Sequence, residues 1–458
     1  MKRREFLQIS GAGAALATTG VWAKSRDERP NFILIVADDM GYADVGCFGR
    51  TDVKTPAIDS LASDGLKFEQ GYANSCVCTP SRVALMTGRY QNRLPIGQEE
   101  PLGMTPVGLE PTEPSLPAQL RAAGYQTSLV GKWHLGSLDK YSPLKNGYEH
   151  FWGLRGGGVD YFTHSLTIGP DAKPDIWDGD VRADEVGYMT DLIGTHGANE
   201  IRGLSSADRP YLLSLHFTAP HWPWEGPHDE AISKGLTEAM HHDGGTIESY
   251  RRMIESLDAN VAKVLAALQK SGNARNTLVL FTSDNGGERF AKTWPFNGMK
   301  GEVLEGGIRV PLIARWPARI RARTVTQQTA MTMDVMPTLL EAAGVTPDAS
   351  RAPDGISLLP TFATPSQVHI RELFWRYNAH KQAAARRGQY KFLRMDDTEY
   401  LFDVVADPQE RGNLKARQPA VFEELKAAWE KWNAQMLAYT PQNTTYDNKA
   451  SKTLVDRY

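Results

Sequence analysis

The sequence predicts an α/β protein in which a doubly wound, mostly parallel sheet is followed by a smaller C-terminal antiparallel α+β subdomain. Three observations lead there. Five short apolar runs, each bounded by turn residues, have the continuity expected of strands buried on both faces. Helical patterns lie between them, and strand–helix alternation favours parallel pairing. After about residue 362 the texture changes to short strands joined by turns and closed by one helix.

In chain order the runs are NFILIVA (31–37), YQTSLVG (125–131), YLLSLHF (211–217), TLVLFTS (277–283) and VPLIARW (310–316). The clearest helix is YRRMIESLDANVAKVLAALQKSG (250–272). Its Met253, Ile254, Leu257, Val261, Val264, Leu265 and Leu268 recur every three or four residues, and Gly272 ends it. In CVCTPSRVALMTGRY (76–90), Pro80 suits the first turn of a helix and Thr79 its N-cap. Cys78 therefore sits at or just before a helix N-terminus, where backbone amides and the helix dipole favour negative charge. Farther on, ELFWRYN, QYKFLRM and YLFDVV read as short strands. A helix over 421–437 puts Phe422, Leu425, Trp429, Trp432 and Met436 on one core-facing stripe.

Composition narrows the function classes. At 41% hydrophobic and 23% charged, the 458 residues have the balance of a soluble globular protein. A net charge of −3 lacks the basic excess of a nucleic-acid binder, so an anionic ligand must meet a local positive cluster. Three cysteines make neither a disulfide framework nor a four-cysteine zinc site. The first 23 residues, MKRREFLQISGAGAALATTGVWA, join a Lys2-Arg3-Arg4 head to a weakly apolar Gly/Ala-rich stretch. That is the pattern of a twin-arginine export signal, with cleavage after Ala23. Its removal takes away three positive charges and one negative, moving the net charge from −3 to −5. The expected organisation is a signal peptide (1–23), a catalytic α/β domain (30–362) and a small subdomain (363–458). Such a protein folds before export and ends in the periplasm or the medium. No later apolar run approaches the length of a membrane span.

The residues just past each strand are more telling than the strands themselves. Asp38 and Asp39 come after 31–37, and GKWHLG, with Lys132 and His134, comes after 125–131. TAPHWPW, with His221, succeeds 211–217, and Asp284 and Asn285 succeed 277–283. Open α/β sheets bind ligands beyond the carboxyl ends of their strands, so these groups are expected to converge. Asp38, Asp39, Asp284 and Asn285 are oxygen donors that suit a hard cation such as Ca2+ or Mg2+. Lys132, His134 and His221 supply hydrogen-bond donors and acid–base groups. Taken singly, DD reads as an N-cap or solvated turn and SDNGG as a turn. Their arrival at equivalent strand ends outweighs that reading. Arg82 adds positive charge beside Cys78, where a thiol would be a reactive thiolate; the bland alternative is a small buried cysteine.

CTPSR followed by MTGR resembles the signature of the type I, formylglycine-dependent sulfatases of the alkaline phosphatase superfamily. The likeness runs through nearly the whole chain after the signal. ADDMGYADVGCFG, TPAIDSLASDGLKF, GKWHLG, APHWPW, TSDNGG, KGEVLEGGIRVP, DVMPTLLEAAG and DGISLLP occur in the family's order. YKFLRM and YLFDVVADPQERGNL resemble its small-domain strands. The resemblance implies an alkaline-phosphatase-like fold and oxidation of Cys78 to an aldehyde by a formylglycine-generating enzyme before export. It implies that Asp38, Asp39, Asp284, Asn285 and an oxygen of modified Cys78 hold a metal, usually Ca2+, with Mg2+ equally suited to four oxygen donors. Arg82 would hold the aldehyde hydrate, and Lys132 and Lys300 would contact the sulfate. His134 would act as base toward the hydrate, and His221 would face the leaving-group oxygen.

The implied reaction is S–O cleavage of a sulfate monoester. One hydroxyl of the hydrate attacks sulfur, and His221 or Lys300 protonates the departing alcohol. His134 then takes the proton of the second hydroxyl as sulfate leaves and the aldehyde reforms. The expected partner is a small-molecule or oligosaccharide sulfate ester, with aryl sulfates as model substrates. The rivals are a phosphonate or phosphodiester hydrolase on the same scaffold, and a non-catalytic glycan-binding protein in which Cys78 stays unmodified. His150, Asp160, Tyr161 and His164 lie around a Gly-rich loop expected to shape a substrate pocket, the alternative being a plain surface loop. Trp222, Trp224 and Trp294 are candidates for sugar stacking or for packing. Glu305 and Arg309 are expected to be structural, positioning Lys300, and Asp407 and Glu410 to be turn and capping residues. Cys47 and Cys76 are expected to stay free, because twin-arginine substrates fold in a reducing compartment.

Overall fold

The computed structural model describes residues 29–101, 105–167, 172–237, 244–443 and 445–446; the expected export signal (1–23) lies outside them. The frame is a ten-stranded sheet. From edge to edge its strands are Thr324–Thr326, Leu66–Phe68, Leu312–Arg315, Thr277–Ser283, Asn31–Ala37, Tyr211–His216, Gln126–Gly131, His150–Gly153, Trp177–Asp178 and Val181–Arg182. The stretch from Thr277–Ser283 to His150–Gly153 is parallel throughout. Asn31–Ala37 shows why its sequence is continuously apolar. Ile33, Ile35 and Ala37 pack into one core, and Phe32, Leu34 and Val36 into another. Helices Pro56–Ser63, Met189–Leu204 and Ile247–Lys270 cover the first face. Cys78–Thr87, Leu116–Ala122 and Val335–Ala343 cover the second. Ile247–Lys270 starts three residues before the expected helix because Thr246 caps it, its hydroxyl accepting the Ser249 amide at 3.0 Å.

Leu312–Arg315 departs from the parallel order: it runs antiparallel to Thr277–Ser283. After Ser283 the chain stays at the carboxyl end of the sheet through residues 284–311, which carry Asp284, Asn285 and Lys300. No crossover helix takes it back, so it re-enters the sheet running the opposite way.

The small sheet is a four-stranded antiparallel meander of Glu372–Tyr377, Gln382–Arg387, Tyr390–Met395 and Thr398–Asp403, with helix Pro419–Asn433 packed on it. The strand Gln382–Arg387 runs against local preference, because QAAARR is composed of helix formers. Burial overrides that preference. Ala383, Ala384 and Ala385 are inaccessible, sandwiched in a core shared by the helix stripe and by Tyr72, Val77 and Leu304 of the large domain. The last helix stops at Asn433 rather than 437, with Met436 buried just beyond it.

A buried polar network joins the two sheets. Glu305 accepts from the Tyr72 hydroxyl at 2.6 Å, from Arg309 at 2.7 Å and from Lys391 at 3.0 Å. Glu410 accepts the Glu305 amide at 2.7 Å and pairs with Lys391 at 2.9 Å. One expectation is corrected here: Glu305 and Arg309 are structural as expected, but they direct their hydrogen bonds into this junction rather than toward Lys300. Glu410 closes its turn, its amide donating to Asp407 O at 3.1 Å, and its side chain also joins the buried ion pair. Asp407 serves the same turn, accepting the Arg411 and Gly412 amides. Among the described residues, no helix is long and apolar enough to cross a membrane.

Candidate active site

The parallel strands deliver the polar residues at their carboxyl ends to one end of the sheet, and each carboxylate there meets a cation. Asp38 Oδ2 accepts from Lys132 Nζ at 2.6 Å, and Asp39 Oδ2 from Lys300 Nζ at 2.7 Å. Asp284 Oδ2 accepts from Arg82 Nε at 2.9 Å, with Arg82 Nη2 at the same distance. Cys78 opens the wholly buried helix Cys78–Thr87, its Sγ 3.4 Å from Asp38 Oδ1 and 3.9 Å from Asp39 Oδ1. Burial and the Asp284 charge push the Asp38 carboxyl up, whereas Arg82 and Lys132 hold Asp284 down against the cost of its own burial. Cys78 is pushed well up, mainly by burial. Desolvation thus outweighs the helix terminus, and the free thiol is not the thiolate its position alone suggested.

The helix also starts differently. Val77, not Thr79, is its N-cap and makes no side-chain bond. Glu100 Oε2 accepts the Thr79 amide at 3.0 Å from outside the helix, while the Thr79 hydroxyl donates to His134 O at 3.2 Å. Ser81 Oγ ties back to the Ser75 carbonyl at 2.9 Å. The residues after Cys78 therefore lock the first turn in place.

Two orphaned acceptors mark where a cation fits. Asn285 Nδ2 donates to Asp39 Oδ1 at 2.7 Å, which leaves Asn285 Oδ1 buried without a partner. His221 Nδ1 donates to Trp222 O at 2.5 Å, since a carbonyl can only accept. The Nε2 lone pair of His221 then faces Asp39 Oδ2 at 3.6 Å, acceptor against acceptor. Ligand atoms of Asp38, Asp39, Cys78 and His221 all lie within 4.8 Å of one another. With Asp284 and Asn285 beside them, the donors are oxygen-rich and fit a hard divalent cation.

The second histidine shows the opposite tautomer. His134 donates from Nε2 to Pro101 O at 3.2 Å, leaving Nδ1 buried, unpartnered and 3.7 Å from Glu100 Oε1. His134 belongs to a compact group with Cys78 and Glu100. Burial, reinforced by the neighbouring lysines, holds both rings well below the ordinary histidine value, so each presents a lone pair. A cavity of about 200 Å3 opens beside these groups, lined by His134, His221, Trp222, Lys300, Glu100 and Tyr446 among others.

Residues 30–345 match the family described as Sulfatase, and residues 299–435 match N-sulphoglucosamine sulphohydrolase, C-terminal. The chain belongs to the sulfatase family. It is 31% identical over 414 residues to N-acetylgalactosamine-6-sulfatase of Rattus norvegicus, covering 82% of this chain and 73% of that one. It is 32% identical over 437 residues to steryl-sulfatase of Mus musculus, covering 77% and 68%. Among solved structures, Ps i-CgsB in complex with k-i-k-neocarrahexaose superposes with a TM-score of 0.82 at 28% identity, over 91% of this chain and 95% of that chain. This sulfatase is accordingly a sulfuric ester hydrolase with the alkaline-phosphatase-like architecture expected of it.

The sulfatase gathers Asp38, Asp39, Cys78, Arg82, Lys132, His134, His221, Asp284, Asn285 and Lys300 at one site. Sequence reasoning missed two contributors. His216 ends its strand with Nδ1 3.1 Å from Lys132 O and 3.5 Å from Arg82 Nη1; a polar residue closing an apolar run was the available signal. Glu100 lies in a loop with no periodicity to betray it. Other candidates prove to be supports. The Tyr161 hydroxyl donates to Thr218 O and His221 O, both at 2.9 Å, bracing the His221 loop. Asp160 accepts the Phe162 and Thr163 amides, and His164 Nε2 donates to Gly187 O. His150 is exposed at the amino end of its strand, opposite the site. Trp224 packs against Phe290, Trp294 is 65% exposed, and only Trp222 of the three lines the cavity. All three cysteines are free.

The Gly-rich loop makes two predictions. At Gly157 a Cβ would fall 2.4 Å from His134 Nε2. Gly157→Ala is expected to displace ring or loop and lower kcat/KM about 10- to 100-fold, at a stability cost of about 1–3 kcal/mol. Steady-state kinetics with thermal unfolding as control decide it; unchanged kinetics would mean the loop does not hold the ring. Beneath the loop, buried Glu225 accepts the Tyr161 amide on Oε2 and leaves Oε1 unpartnered. Burial and the Asp160 charge push its carboxyl up from 4.5 to about 9. Across that window the folded chain keeps a proton that the unfolded chain has released, so this group's contribution to stability falls as pH rises. Glu225→Gln is expected to raise Tm near pH 9 and change it little near pH 5. An equal shift at both would refute the assignment.

Proposed function

We propose that this sulfatase cleaves the S–O bond of a carbohydrate sulfate monoester, with residue 78 carried as formylglycine. The observation that supports this reading is Cys78 at a helix N-terminus, its Sγ set against Asp38 and Asp39 beside a cavity lined by His134, His221 and Lys300. In this reading Sγ stands in for one oxygen of an aldehyde hydrate. Asp38, Asp39, Asp284, Asn285 and that oxygen would hold Ca2+ or Mg2+, which when bound supplies a Lewis acid beside the nucleophile.

The chain's own groups do the rest. Lys132 and Lys300 are held charged by Asp38 and Asp39 and present fixed positive charge to sulfate. Arg82 anchors Asp284. His134 offers Nδ1 on the side of residue 78, where a hydroxyl proton must be removed. His221 and Lys300 flank the leaving-group side, and Lys300 carries the proton a departing alcohol needs. A sugar substrate is favoured by the relatives, one named for N-acetylgalactosamine-6-sulfate and one solved with neocarrahexaose, and by the Trp222 ring at the cavity. The twin-arginine pattern of residues 1–23 supports modification in the cytoplasm followed by export to the periplasm or medium.

Protein produced together with a formylglycine-generating enzyme is expected to turn over an aryl sulfate faster than an aryl phosphate diester. The reverse preference would make it a phosphodiester hydrolase. Mass spectrometry of the peptide spanning residue 78 is expected to find the aldehyde; an alkylatable thiol in every active molecule would sink the mechanism. Chelation is expected to remove most of the turnover and added Ca2+ to restore it.

A further inference from the structure

We infer that residues 437–443 together with Thr445 and Tyr446, which follow the last helix, form the wall that sets leaving-group specificity, with Tyr446 positioning Lys300 and meeting the ring attached to the sulfate. The inference rests on the sulfatase reading above. It begins from where this segment goes. The segment bridges the small sheet, through Arg376 and Tyr377, and the loops of the large domain, and it is tied to both. The Leu437 amide donates to Asn92 O at 2.9 Å, and Asn443 Nδ2 donates to Glu99 Oε1 at 2.9 Å, next to Glu100 of the site. The Tyr377 hydroxyl donates to Tyr446 O, and the Tyr446 hydroxyl to Glu288 Oε1. Side chains along 437–442 are mostly exposed, so hydrogen bonds rather than apolar burial fix this path.

The path ends at the chemistry. Lys300 Nζ lies 5.1 Å from the centre of the Tyr446 ring while donating to Asp39 Oδ2. An ammonium that gives one N–H to a carboxylate keeps two more, here beside a π-face that favours its charge. Lys300 lines the cavity, so these are within reach of a bound substrate. Glu288, whose Oε2 is buried without a partner, holds the Tyr446 ring through its hydroxyl. Thr445 and Tyr446 also line the cavity, together with Trp222. Two aromatic rings at one small cavity suit a leaving group with a flat apolar face, such as a pyranose, better than a flexible alkyl chain. Tyr446 is thus a positioning residue for Lys300 and a specificity residue for the group beyond the ester oxygen.

The test uses the modified holoenzyme with three probes: inorganic sulfate as inhibitor, 4-nitrophenyl sulfate, and a 6-sulfated N-acetylgalactosamine. Tyr446→Ala is expected to weaken sulfate inhibition about 3- to 30-fold, the range a partly desolvated cation–π contact commands. It is also expected to raise KM more for the sulfated sugar than for the aryl sulfate. Tyr446→Phe, which keeps the ring, is expected to retain most of the sulfate affinity. A Tyr446→Ala enzyme with unchanged sulfate inhibition and an unchanged ratio between the two substrates would overturn the inference. A measurement on the parent enzyme guards against a variant that fails to fold: sulfate is expected to slow amide hydrogen exchange across 437–446, and unchanged exchange at bound sulfate counts against the wall. If the parent enzyme neither turns over sulfate esters nor is inhibited by sulfate, the sulfatase reading itself has failed.

Discussion

Cys78→Ser is expected to abolish multiple turnover by about 10^4-fold or more while leaving the chain folded. The fold should tolerate it because the change is small and the new hydroxyl finds Asp38 Oδ1, 3.4 Å from the present sulfur, as an acceptor. The chemistry should not. A serine hydroxyl can attack sulfur, form an O–S bond and expel the alcohol, so one sulfuryl group can be taken up. The resulting ester has a single oxygen on its carbon, so it cannot expel sulfate by closing to a carbonyl. Release then needs water to attack a sulfur shielded in a buried site. The expected record is at most one product per chain, with a covalent SO3 adduct on the peptide spanning residue 78. Sustained turnover by Cys78→Ser at the parent rate would show that residue 78 is not the nucleophile.

Asp284→Ala is expected to cost about 3–5 kcal/mol of stability, because it leaves Arg82 as an uncompensated buried cation. Arg82 is 1% exposed, and its Nε and Nη2 both lie 2.9 Å from Asp284 Oδ2. Its other contacts, Lys132 O and His216 Nδ1, are neutral, and Asp38 at 3.6 Å is already engaged by Lys132. The same change removes Oδ1, which accepts the Asp39 and Asn285 amides and so fixes both neighbours. Turnover is expected to fall on the order of 10^3-fold, since an oxygen donor and the geometry of two others go together. Asp284→Asn, which keeps an acceptor but not the charge, is expected to fall between parent and alanine in stability. Denaturant unfolding and steady-state kinetics read both effects. Parent-like stability of Asp284→Ala would mean that Arg82 finds another counter-charge.

Much of this was legible in the chain because parallel sheets impose two rules at once. Strands buried on both faces must be continuously apolar, and groups at their carboxyl ends must share one crevice. NFILIVA before Asp38 and TLVLFTS before Asp284 obey both, and the strands they form are adjacent. The rules fail where local pattern and environment part. Gln382–Arg387 reads as helix by composition and is a strand because only small side chains sit between the last helix and the large domain. Leu312–Arg315 has the composition of its parallel neighbours and runs the other way, because the site loop before it never leaves the carboxyl end. Glu100 had no pattern, since a loop residue acquires its role from what folds against it.

The sequence by itself determined the fold class and which residue types reach the site, because both depend on short-range periodicity and on order along the chain. Only the tertiary structure decided how those residues work. It paired Lys132 with Asp38, Lys300 with Asp39 and Arg82 with Asp284. It gave His134 and His221 opposite tautomers through carbonyls of Pro101 and Trp222, kept the free Cys78 thiol protonated, and brought Tyr446 back over Lys300. Each of these depends on desolvation and on distances of a few ångströms between groups far apart in the chain, and no spacing in the sequence encodes either.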